Sequence, residues 1–103
     1  MLTDFDMEIL TGYRYNVISI NVLKRQAAWN DKFCLPVDHL NKKISALYWK
    51  VEEFERILDR INNRRTRVIF RCKYAAGMTE EEIAEKFRIE QKTVCNAIKK
   101  EIS

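Results

Sequence analysis

Five side chains near the C-terminus, Gln91, Lys92, Asn96, Lys99 and Lys100, offer amides and cations at helical spacing. Amides can hydrogen-bond base edges and ammonium groups can neutralise phosphates, so a helix presenting them suits the major groove of duplex DNA. No Asp or Glu stands between Gln91 and Lys100, so that stretch carries nothing to repel a phosphate backbone. Candidates for other chemistry are sparse. His39 is the single histidine and reads as a surface residue on a helix. The three cysteines, Cys34, Cys72 and Cys95, are odd in number and form no C-x-x-C pair, a poor basis for a metal site or a disulfide framework. Reduced thiols are expected, with Cys34 and Cys72 in or near the core and Cys95 among lysines, where it could react. The chain has no glycine-rich loop and no carboxylate pair beside a base, so neither catalysis nor a cofactor is expected.

The elements that must position these side chains begin at Gly77, in the string GMTEEEIAEKFRIEQKTVCNAIKK. Thr79 and Glu82 have capping-box spacing, in which hydroxyl and carboxylate each satisfy the other residue's amide. A helix is therefore expected over Glu80–Phe87, burying Ile83, Ala84 and Phe87. A turn follows at Arg88-Ile89-Glu90, with Ile89 plugging the core. The last helix, from about Gln91 to Ile102, should bury Val94, Ala97 and Ile98. Small Ala84 would lie where two steeply crossing helices approach closest. These core positions fall in the order of a helix-turn-helix. Upstream, Val68, Ile69, Cys72 and Ala76 share one face of a third helix of about ten residues that stops near Gly77, a residue suited to the left-handed end of a helix.

The first 63 residues read as two long helices. One runs from residue 4 to about 32, capped by Thr3, with Asp4 and Asp6 near its positive end. Phe5, Ile9, Tyr13, Val17 and Ile20 form its apolar stripe, widened by Leu10, Ile18 and Leu23. Gly12 weakens it by about 1 kcal/mol relative to Ala. Pro36 is expected to open the second, which should reach Asn62. Leu40, Ile44, Leu47, Val51, Phe54, Leu58 and Ile61 recur there in alternating steps of three and four, the spacing of a helix-packing seam. That seam fits both packing within the chain, as a helical hairpin, and pairing between two copies. The fold class expected is all-α: an N-terminal hairpin over residues 1–63, which dimerises or binds a partner, then a three-helix helix-turn-helix domain over residues 64–103.

Bulk properties agree. Two glycines and one proline in 103 residues are too few for a turn-rich β-fold. No apolar run approaches the roughly 20 residues of a membrane span, and the acidic start MLTDFDMEIL is unlike a signal peptide, so a cytoplasmic protein without a membrane role is expected. Residues 1–63 hold nine basic and nine acidic residues, whereas residues 64–103 hold ten and six. All of the net charge of +4 therefore belongs to the C-terminal part, which points to an anionic partner there.

From about Arg67 to Lys100 the sequence resembles region 4 of sigma-70-type RNA polymerase sigma factors, and the related small phage-encoded transcriptional regulators of Firmicute phages and prophages. The resemblance rests on Lys73-Tyr74, Gly77-Met78-Thr79, Glu82-Ile83-Ala84, Phe87, Ile89 and Thr93-Val94. It implies base-facing positions at Gln91, Lys92, Cys95 and Asn96, and phosphate-facing positions at Arg71, Lys73, Thr79 and Lys99, with Lys100 alongside. Arg88 replaces the glycine of many members, and Glu90 replaces their usual Ser or Thr helix cap. The first 60 residues do not resemble the core-polymerase-binding region of a full sigma factor. The function expected is a small DNA-binding transcriptional regulator of phage or prophage type, acting on double-stranded DNA as a homodimer. The alternative is an adaptor or inhibitor that uses the same helices to bind RNA polymerase or another host protein.

Overall fold

The structure is a computed structural model that describes residues 2–102. It is all-helical, with no strand among the described residues. The helices are α1 (Asp4–Lys32), α2 (Asp38–Asp59), α3 (Arg64–Phe70, continued by a π turn over Arg71–Ala75), α4 (Glu80–Phe87) and α5 (Gln91–Ile102). None is long and apolar enough to cross a membrane.

Local chemistry sets most of the ends. The Asp6 N–H donates to Thr3 Oγ1 at 3.1 Å and the Thr3 N–H donates to Asp6 Oδ2 at 3.0 Å, a full capping box at the start of α1. Past α1, Cys34 takes a left-handed φ of 57° and the Asn30 amide donates to the Pro36 carbonyl at 3.1 Å. That bond from the Asn30 side chain ties Pro36 into the connection, and α2 opens at Asp38 rather than at the proline expected to start it. Its end also comes earlier than expected. The Asn63 side chain accepts from the Thr66 N–H and so caps α3, while Arg67 Nη1 donates to the Ile61 carbonyl at 2.9 Å. Asn62 and Asn63 are thereby drawn into the next turn. Cys34 is exposed on this reversal, not in or near the core where it was expected.

Within the chain, the α2 seam packs along α1. Leu40, Phe54, Leu58 and Ile61 are buried; Ile44, Leu47 and Val51 are half-buried. Tyr13 stacks on Phe54 with ring centroids 3.9 Å apart. On α1, however, Phe5 and Ile18 are largely exposed, while Asp6 and Asn16 are buried. The apolar stripe thus predicts only part of the buried face.

One buried cluster joins both parts of the chain. Ile9 and Leu10 of α1 and Phe54, Ile57 and Leu58 of α2 meet Ile69, Phe70, Cys72, Ile83, Ala84, Val94 and Ile98. The N-terminal half of α1 and the C-terminal half of α2 are thus built into the base of α3–α5. The other halves pack only on each other and extend the molecule to 55 Å in its longest dimension.

The expected third helix changes character midway. The π turn adds a residue per turn, so positions beyond Phe70 fall out of α-helical phase. This accounts for the exposure of Ala76. Phe70 is buried and Val68 is 39% exposed, both ahead of the π turn, so α3 itself turns a different face inward than the one expected. Gly77 ends the element at φ 71°, with the Arg14 guanidinium of α1 lying directly over it. A Cβ there would push that flexible guanidinium aside, whereas the left-handed φ itself is what calls for glycine.

Candidate nucleic-acid interface

The scaffold of the candidate site is α4, a short turn and α5. Thr79 and Glu82 close their capping box at 3.0 and 3.1 Å, which fixes the start of α4. The Thr79 amide holds the Glu82 carboxyl below its ordinary pKa, so Glu82 stays ionised at the positive end of the helix. Ile83 and Ala84 are buried in the same cluster as Val94 and Ile98 of α5. Phe87 was expected on that buried face but is 38% exposed, with the Lys86 ammonium 5.8 Å from its ring centroid. It is the last residue of α4, and the chain turns away at Arg88 before its ring can enter the core.

Arg88 makes that turn in the left-handed region, at φ 55° and ψ 47°. The Ile89 N–H then returns to the Ala84 carbonyl at 3.0 Å, and Ile89 packs against the core as expected. The Glu90 carbonyl accepts from the Thr93 and Val94 N–H groups and so launches α5. At the far end of α5, the Glu101 carbonyl accepts from the Leu2 N–H at 2.8 Å. Both ends of the helix are therefore tied down.

At about 100° per residue, Gln91, Cys95, Lys99, Lys92, Asn96 and Lys100 follow one another around one half of α5. Val94 and Ile98 occupy the other half and are buried; Ala97 packs beside them. Gln91, Lys92, Asn96, Lys99 and Lys100 are exposed, and Cys95 is half-buried. The structure thus gathers the expected amide and lysine positions on one face of α5.

The other sequence-derived positions are distributed differently. Arg71 reaches back to α2, where Nη1 and Nη2 donate to the two Glu55 carboxylate oxygens, each at 2.8 Å. The Arg71 bond depresses the Glu55 pKa, and the Arg71 pKa rises in turn. This guanidinium is engaged within the fold and does not join the α5 face. Lys73 is half-buried, its ammonium 5.6 Å from the Tyr74 ring centroid. The Thr79 hydroxyl is part of the cap of α4.

A feature that periodicity does not show lies between α3 and α5. A cleft of about 290 Å³ is lined by Asn63, Arg65, Thr66, Thr93, Asn96 and Lys100, among others. Arg65, an exposed cation from the start of α3, is thereby placed beside Asn96 and Lys100. The run Arg64-Arg65-Thr66-Arg67 is the sequence signal for it, but only the packing of α3 on α5 makes it part of this surface.

No protein-family model matches the chain, and no match was found among curated proteins or solved structures.

Proposed function

We propose that the chain is a small DNA-binding transcriptional regulator in which α4, the Arg88 turn and α5 form a helix-turn-helix behind a hairpin of α1 and α2. On this reading α5 enters the major groove. Gln91, Lys92 and Asn96 reach base edges, while Lys99, Lys100 and Arg65 neutralise phosphates. The observation that carries it is the exposed half of α5, which holds three lysines and two amides and no acid. The resemblance to sigma region 4 and to small phage regulators supports the same assignment. A single copy offers few base contacts, so useful specificity takes two copies or a second DNA-bound protein on adjacent half-sites. Leu40, Phe54, Leu58 and Ile61 of the α2 seam are buried within the chain, so paired copies would meet through other residues.

The test is a titration of a fluorescent duplex at several salt concentrations. Three phosphates neutralised by Lys99, Lys100 and Arg65 give a log–log salt slope of about −3 per copy. Absence of binding at low salt would refute the reading.

A further inference from the structure

The middle of α1 and the N-terminal half of α2 border a groove that the fold leaves open. Its volume is about 620 Å³, and its lining includes Tyr15, Ile18, Val22 and Leu23 of α1 with Leu47 and Lys43 of α2. Tyr15, Ile18 and Val22 are 73%, 58% and 54% exposed, so these apolar side chains stand largely in water at steps of three and four. A row with that spacing beside a second helix is the geometry into which an amphipathic helix lays its apolar face.

Charge selects the kind of helix. From Arg14 to Lys50 the chain holds seven Lys and Arg against two Asp, although residues 1–63 as a whole are neutral. Lys43 lines the groove, Lys50 stands three residues after Leu47, and Arg25 stands three after Val22. A second copy presenting this same patch about a two-fold axis would bring these cations against each other. Acidic flanks on an incoming helix would meet them with opposite charge.

We propose that this groove docks an acidic amphipathic helix of another protein, with apolar residues in the groove and Asp or Glu facing Lys43, Lys50 and Arg25. The proposal does not depend on DNA binding by α5. It would give the molecule a protein-binding surface on α1 and α2, separate from the exposed face of α5.

The test uses the full chain and three labelled helical peptides with one shared Leu/Ile stripe, flanked by Glu, by mixed charges or by Lys. Fluorescence anisotropy should show affinity in that order, with about tenfold or more between the first and last. Lys43→Glu should weaken the Glu peptide about fivefold and strengthen the Lys peptide. Ile18→Asp should remove binding while helicity and melting temperature hold, because Ile18 is already exposed. Equal affinity for the three peptides, or none for the Glu peptide, overturns the proposal. So does a dimer mass in light scattering that Ile18→Asp returns to monomer, or groove-dependent binding to phosphatidylserine vesicles in place of the peptide.

Discussion

Arg60 Nη2 donates to Asp6 Oδ1 at 2.7 Å, joining the end of α2 to the first turn of α1 across 54 positions of sequence. The Asp6 side chain is 5% exposed and that of Arg60 is 55% exposed, so the carboxylate sits inside while its partner reaches in from the surface. The second carboxylate oxygen accepts from the Thr3 amide. Asp6 therefore caps α1 and locks α1 to α2 at once.

This pair predicts an acid-sensitive component of stability. Burial would raise the Asp6 pKa, but bonds from the Thr3 amide and Arg60 outweigh it and the net shift is downward. A carboxyl whose pKa is depressed by folding stabilises fully above its unfolded value of about 3.9, and loses that contribution as pH falls toward the folded value. Urea unfolding at pH 7 and pH 3 should show a loss in wild type that is smaller in Asp6→Asn. Arg60→Met should cost about 1–3 kcal/mol at pH 7, from loss of a hydrogen bond to a charged group. An equal pH response in wild type and Asp6→Asn would count against the pair.

Arg88 supplies a prediction of opposite sign. A left-handed φ of 55° costs a non-glycine residue about 1–2 kcal/mol. Arg88→Gly removes that strain but loosens the unfolded chain, so a net gain of up to about 1 kcal/mol is expected. Thermal melts should show a rise of a few degrees. No rise, or a fall, would mean that the Arg88 side chain holds the turn through contacts of its own.

What could be read in the sequence follows the range of the forces involved. The starts of α1 and α4, at the caps of Thr3 and Thr79, rest on bonds between residues three apart, which spacing alone reveals. The six positions on the exposed half of α5 follow from helical periodicity in the same way. Asp6 burial, the Arg71–Glu55 pair and the approach of Arg65 to Asn96 depend on partners far along the chain, and no local pattern encodes them. The π turn lies between these cases. It resets the phase after Phe70, so a face traced at constant α spacing carries Ala76 inside, while the burial of Phe70 in place of Val68 is set by how α3 packs on the rest of the core.

Charge on α5 can be tested apart from folding. Lys92 and Lys99 are exposed, so Lys92→Glu with Lys99→Glu should leave helicity intact while placing two acids on the proposed DNA face. Duplex affinity should fall by about a hundredfold or more, since one base-edge and one phosphate contact become repulsions. Arg71→Gln removes a cation of the same domain that is paired with Glu55, and should change affinity far less. Retained binding by the double lysine variant would show that α5 is not the DNA-contacting helix.

The shared core predicts that the two ends of the molecule unfold together. Phe54 is fully buried, stacks on Tyr13, and belongs to the cluster that also holds Val94 and Ile98 of α5. Phe54→Ala should cost about 3–5 kcal/mol, because it removes a large apolar side chain and leaves a cavity. Half-buried Leu47 lies outside that cluster, so Leu47→Ala should cost only about 1–2 kcal/mol. Both tryptophans, Trp29 and Trp49, lie on α1 and α2, so their fluorescence reports on that end, whereas amide exchange at Val94 and Ile98 reports on α5. In Phe54→Ala both signals should show the same loss of stability, since one cluster supports both elements. Protection in α5 that persists while the tryptophan transition moves would show instead that α3–α5 fold independently of the long helices.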